Sequence, residues 1–173
     1  MTELGWFEGR RVELIEGEIV EMAAMNTPHW GALILVADAL RDVFKKDFFI
    51  SVQSPLNMSD FSQPEPDVAV ISGSPRDYSA AIPSTAALVV EISDSTLSYD
   101  RTQKAALYAR AGIAEYWILN LIDNQLEIHR KPGARPDQPF GFGYLNLSFH
   151  RAGDLVSPLE APQSSIAVAD LLP

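Results

Sequence analysis

Apolar and charged positions alternate over Arg11–Ile15 and again over Glu18–Met22, on either side of Glu16-Gly17. That spacing predicts a β-hairpin with Val12, Leu14 and Ile19 on its buried face. Thr27-Pro28 reads as an N-cap followed by proline at the first helical position. Behind it Trp30, Leu33, Ile34, Ala37, Leu40 and Phe44 recur at helical spacing as far as Lys46, predicting a long amphipathic helix. Phe48–Gln53 and Leu56–Met58 read as strands, and Ser59–Pro66 as a proline-bearing loop. Val68–Ile71 is a short apolar strand, Ser72–Ser84 a loop, and Ala86–Ile92 an apolar run suited to a central strand buried on both faces. Tyr99–Ala111 has helical character and stops at Gly112, the residue type that best ends a helix. Tyr116–Asn120 and Gln125–His129 form two strands around a turn at Asp123-Asn124. Pro132–Gly143 reads as a long Pro/Gly-rich loop, Tyr144–Phe149 as a strand, and Ser165–Val168 as a last strand. No repeat, low-complexity tract or linker interrupts the chain, so residues 1–173 read as one mixed α/β domain.

Composition narrows the chemistry. The chain has no cysteine, which excludes a disulfide scaffold, a zinc ribbon, an iron–sulfur site and a thiol nucleophile. No apolar run approaches the ~18 residues of a membrane span. Met1–Glu21 is acidic, unlike a signal or transit peptide, and a cytoplasmic location is expected. The formal net charge is −10. Proteins that grip nucleic acid through its phosphates carry positive charge at least locally, so contact with a polyanion requires a patch, a partner or a bound cation.

Two carboxylates stand where carboxylates are costly. Glu91 lies inside Val89-Val90-Glu91-Ile92-Ser93, and Asp67 opens the strand Val68–Ile71. An ionised carboxylate in such a strand costs several kcal/mol unless it is paired or bound to a cation. Strand alternation puts Val89, Glu91 and Ser93 on one face and Leu88, Val90 and Ile92 on the other. If the two strands are neighbours, Asp67 and Glu91 converge at one end of the sheet, and hard oxygen donors favour Mg²⁺ or Mn²⁺. Asp100, Lys104 and Tyr108 follow at i, i+4, i+8 on the next helix and form a stripe. A lysine beside a carboxylate pair suits phosphodiester hydrolysis, with a cation activating water and an ammonium stabilising developing charge. The competing arrangement is an Asp100–Lys104 ion pair on a solvated helix face.

Pro66-Asp67 followed by Glu91-Ile92-Ser93 resembles the motif of the PD-(D/E)XK nucleases, with serine where that motif has lysine. Lys104 fits the branch in which the lysine moves to the following helix. The longer pattern, from Val90-Glu91-Ile92-Ser93 through Asp100, Lys104, Tyr108, Gly112 and Glu115-Tyr116-Trp117, resembles the Uma-type family of restriction endonucleases. The hairpin Glu13–Ile19 and the helix from His29 are similar to that family's N-terminal part. The resemblance implies a restriction-endonuclease-like core, a mixed central sheet flanked by helices, and a Mg²⁺- or Mn²⁺-dependent DNA endonuclease. It implies Asp67 and Glu91 as metal ligands with the Ile92 carbonyl beside them, Lys104 as the catalytic lysine, and Glu13 or Glu18 as a further acidic residue. His29, Ser93 and Tyr108 are accessory candidates; His129 and His150 show no ligand spacing, and Glu65 reads as a bystander. A second function class is a catalytically inactive binding or assembly module on the same fold, favoured by the charge of −10 and by Ser93. A homodimer is expected, from the family and from Trp117 and the Pro132–Gly143 loop with Phe140, Phe142 and Tyr144 as apolar anchors.

Overall fold

The computed structural model describes residues 11–22 and 24–173; the first ten residues of the acidic N-terminal stretch lie outside the described residues. The hairpin forms as β1 (Val12–Ile15) and β2 (Glu18–Glu21), antiparallel, with the turn at Glu16 and Gly17, both at positive φ. Its buried face is the opposite of the one the alternation predicts. Glu13 and Ile15 turn inward, whereas Ile19 is 45% exposed. The hairpin is not part of the main sheet, and the buried ammonium of Lys104 draws Glu13 inward.

Helix α1 (Thr27–Val43) is capped by Asn26, one residue earlier than expected: its side-chain oxygen accepts from His29 N–H at 3.0 Å. Ala32, Leu33, Val36, Ala37 and Leu40 form the buried stripe. Trp30 and Ile34 belong to the predicted pattern but lie off that stripe and are exposed. Next come β3 (Phe48–Val52), β4 (Val68–Ser72) and β5 (Leu88–Ser93). Leu56–Met58 is not a strand. Leu56 is fully buried in an irregular segment, with its N–H on the Pro64 carbonyl, in a stretch whose prolines prevent a ladder.

After β5 the chain turns into one helical run: α2 (Leu97–Tyr99), a π-helical turn (Asp100–Lys104) and α3 (Ala105–Arg110). Gly112, at φ +78°, ends it. Strands β6 (Glu115–Asn120), β7 (Gln125–Ala134) and β8 (Phe142–Arg151) complete a six-stranded sheet in the order β3-β4-β5-β6-β7-β8. All its pairings are antiparallel except β5–β6. Short strands β9 (Leu155–Val156) and β10 (Ile166–Ala167) pair separately. The architecture is therefore mixed α+β with an N-terminal hairpin.

The Pro132–Gly143 loop of the sequence reading is loop over 135–141 and strand at its two ends, because β7 and β8 continue their pairing to Ala134 and Phe142. Pro132 is tolerated there since it lies beyond the last β6–β7 pair, Glu115 with Arg130, where no β6 neighbour needs its missing N–H. Two apolar cores sandwich the sheet. Leu88, Val90, Ile92, Trp117 and Leu119 pack with α1 on one face; Val89, Tyr116 and Ile118 pack with Ala105, Tyr108 and Ala109 on the other. Trp117 is fully buried in the first core and cannot anchor an interface. Tyr144 is buried too, its hydroxyl donating to the Ile113 carbonyl at 2.9 Å, and Phe140 lies against Arg110.

Candidate functional site

The antiparallel register sets Val68 opposite Val90, which brings Asp67 beside the end of β5. The two carboxylates meet through each other's backbone. Asp67 Oδ2 accepts the Ile92 N–H at 2.9 Å, and Glu91 Oε2 lies 3.3 Å from the Asp67 nitrogen. Both residues are buried, at 6% and 5% exposure. On the far oxygen of Asp67 sit His29 Nε2 at 3.0 Å and Gln53 Nε2 at 3.2 Å. Gln53 escaped the sequence reading. Its signal is positional: β3 pairs Val52 with Val68, so the polar residue after that apolar strand must stand next to Asp67.

The helical run supplies the other side. Lys104 Nζ lies 3.0 Å from Glu91 Oε1 and 2.7 Å from Glu13 Oε2, and Lys104 is only 4% exposed. Tyr108 donates its hydroxyl to the same Glu91 oxygen at 2.6 Å. The Asp100–Lys104 surface pair does not form. Asp100 is buried and accepts from Ser93 Oγ and Thr96 Oγ1, each at 2.6 Å. Ser93 thus faces Asp100, not the carboxylate pair. Of the two candidate glutamates, Glu13 enters the site, while Glu18 is exposed on β2. Glu65 contributes its backbone N–H to Glu13 Oε2, and its side chain pairs with Arg11 at the surface. His129 is buried against Tyr116 and Tyr144, and His150 pairs with Ser148 on β8; neither is bonded to the carboxylates. Glu13, His29, Gln53, Asp67, Glu91 and Lys104 share the wall of a cavity of about 350 Å³ between the hairpin and the sheet end.

Electrostatics divide these groups. Burial pushes Glu91 up to about 8; Lys104 opposes the shift, and Asp67, Asp100 and Glu13 reinforce it. Burial alone would raise Asp67 as well, but the hydrogen bond and charge of His29 hold it below the usual carboxylate range. Burial would lower His29, yet its bond to Asp67 and the surrounding carboxylates raise it. Burial likewise opposes the charge on Lys104, and Glu91 and Glu13 more than compensate, so its ammonium is firmly protonated.

Four buried acidic side chains, Glu13, Asp67, Glu91 and Asp100, gather near the one ammonium of Lys104, and such hard oxygen donors suit a divalent cation, which would displace the proton that burial favours on Glu91. Among the described residues no cluster of three or more His, Asp or Glu is disposed to hold a metal. No helix among the described residues is long and apolar enough to cross a membrane.

The chain matches the family Uma2, described as "Putative restriction endonuclease", over residues 4–169. A solved structure from Anabaena variabilis, described as a putative nuclease belonging to DUF820, shares the fold with a TM-score of 0.68 at 17% identity. The alignment covers 92% of this chain and 88% of that one. No curated protein matches.

Proposed function

The chain belongs to the Uma2 family, and from that premise we propose that it is a DNA endonuclease that hydrolyses phosphodiester bonds with Mg²⁺ or Mn²⁺. The observation that carries this reading is the placement of the Lys104 ammonium against Glu91, whose neighbour across the strand pair is Asp67. Asp67, Glu91 and the Ile92 carbonyl hold the cation in this reading. When bound, such an ion supplies Lewis-acid charge to the phosphate and lowers the pKa of an attacking water.

The chain's own residues do the rest. Lys104 stabilises charge that develops on the phosphate oxygens, from a buried position where a fixed charge acts most strongly. Tyr108 fixes the orientation of Glu91 through its hydroxyl. His29, Gln53 and the Ile92 N–H fix Asp67 from three directions. Ser93 acts indirectly, by holding Asp100 and with it the π turn that delivers Lys104.

Homodimerisation belongs to the same proposal, now through β8 instead of Trp117. Leu145, Leu147 and Phe149 alternate along this edge strand and are each at least half exposed. Light scattering should give a particle twice the chain mass, and a 19.0 kDa particle at micromolar concentration would refute pairing.

The second reading, an inactive binding or assembly module in the cytoplasm, draws on the net charge of −10. Incubation of the purified protein with plasmid and single-stranded DNA in Mn²⁺, beside Glu91→Ala, separates the two. Cleavage that Glu91→Ala abolishes supports the nuclease; equal cleavage, or none, by both proteins supports the module.

A further inference from the structure

We propose that Glu13 is the positioning residue of Lys104: the β1–β2 hairpin reaches across the cavity to hold the lysine in place, and Glu13 is not a metal ligand. The proposal rests on the nuclease reading for the use made of Lys104, but not for the clasp itself.

Glu13 is an acidic residue on a four-residue strand, buried at 5% exposure. Its contacts account for that burial. Oε2 takes a 2.7 Å bond from Lys104 Nζ, shorter than the 3.0 Å bond from Nζ to Glu91. The same oxygen accepts the Glu65 N–H at 3.2 Å, two residues before Asp67. One carboxylate oxygen thus ties the helix that carries the lysine to the segment that carries the first acid of the pair. By contrast, the Lys104 ammonium stands between Glu13 and Glu91, and Glu13 shares none of the partners His29, Gln53 and Ile92 N–H that hold Asp67.

The consequence concerns competition. With Glu91 as its sole partner, a buried ammonium would sit on the carboxylate that a cation must share. Glu13 gives Lys104 a second anion, so the lysine keeps a partner when Glu91 turns its charge to the cation. The hairpin does not depend on this contact for its own attachment. Glu16 pairs with Arg110 and bonds Ser62, Gly17 N–H reaches the Phe61 carbonyl, and Gln63 N–H reaches the Leu14 carbonyl. Its first strand and its turn therefore grip the helical run separately, at Lys104 and at Arg110.

The test is amine acylation followed by peptide mass spectrometry, in metal-free parent and in Glu13→Gln, with Mn²⁺ calorimetry on Glu13→Gln and Asp67→Asn. Losing a charge-assisted bond should raise Lys104 acylation by about tenfold or more in Glu13→Gln. Exposed Lys45, Lys46 and Lys131 should keep their parental rates. Mn²⁺ binding should persist in Glu13→Gln and disappear in Asp67→Asn. Unchanged protection of Lys104 overturns the proposal, as does loss of Mn²⁺ binding in Glu13→Gln to the extent seen in Asp67→Asn. If all lysines react faster together, Glu13→Asp replaces the variant: it keeps the charge but shortens the reach, and a rise at Lys104 alone is expected. A parent that binds no Mn²⁺ counts against the nuclease reading, and the acylation result still decides the clasp.

Discussion

Replacing Glu91 with glutamine removes one ionisable group from the centre of the site and keeps its shape. Burial lifts the Glu91 carboxyl from its ordinary 4.5 to about 8. A carboxyl raised on folding binds more protons in the native than in the unfolded state between those values, so the metal-free parent loses stability as pH rises through that window. Between pH 5 and pH 8 the loss is about 3–4 kcal/mol at most. Glu91→Gln cannot lose it. The quantity to follow is therefore the change with pH in the stability gap between variant and parent, measured by urea unfolding in chelator with buried Trp117 as a reporter. The gap itself also contains the altered bonds to Lys104 and Tyr108. Contributions from other groups largely cancel in the comparison. His29, raised, stabilises below its ordinary value and loses that contribution as pH rises; His129, depressed, does the reverse. The gap should move in favour of Glu91→Gln from pH 5 to pH 8, and Mg²⁺ at pH 8 should restore the parent alone. A gap that moves against Glu91→Gln as pH rises would show that Lys104 keeps Glu91 ionised throughout, and the argument that burial holds a proton on the metal-free carboxyl would fail.

Three further outcomes are expected. Mg²⁺ or Mn²⁺ at about 100 times its Kd should stabilise the parent by about 2.7 kcal/mol and Asp67→Asn by far less, read as thermal shifts; equal shifts would place the cation elsewhere. Lys104→Met should retain Mn²⁺ binding and lose about 10²-fold or more in cleavage rate; parental cleavage by this variant would remove Lys104 from the chemistry. His129 Nε2 is buried with no hydrogen-bond partner among the described residues, and burial pushes the imidazole down to about 4. Its contribution to stability is complete above the ordinary 6.5 and is lost as pH falls towards 4, so His129→Phe should gain about 2 kcal/mol over the parent on going from pH 7 to pH 4.5, by urea unfolding.

The parts of the fold legible in the sequence are those where local chemistry and tertiary demand agree. Ala86–Ile92 reads as a central strand because it is apolar on both faces, and it lies between two cores. Gly112 marks the end of the helical run because its φ of +78° strains any residue with a side chain. The hairpin failed in a specific way. Its alternation is genuine, but periodicity cannot distinguish a buried apolar face from a buried charged one, and the pull of Lys104 on Glu13 comes from 91 residues away. The Pro/Gly stretch reads correctly over 135–141 and failed only at its ends, for the opposite reason. Loop-forming residues dominate it, yet proline costs a strand nothing where that side of the strand has no neighbour. Trp117 read as an interface anchor, although an aromatic on a central strand is more simply satisfied by the core.

At the site, the sequence shows the carboxylates and the lysine but not how they come within reach, because the joining element is irregular. An ideal α-helix places Asp100, Lys104 and Tyr108 on one stripe, where Asp100 would pair with Lys104 on the surface. The π turn at Asp100–Lys104 alters that relation. Ala105 N–H reaches back to the Asp100 carbonyl, five residues away, and the extra residue in the turn rotates α3 relative to α2. Asp100 is turned to Ser93 and Thr96, while Lys104 and Tyr108 both reach Glu91. Ser93 sits where the resembled motif has lysine, and its hydroxyl anchors Asp100, the first residue of the turn. A short side chain at position 93 of β5 meets Asp100, and the π turn pinned there brings the Lys104 ammonium to Glu91. The net charge of −10 is spread over the whole chain, whereas the charge at the cavity is set locally, by the Lys104 ammonium among the buried acidic side chains.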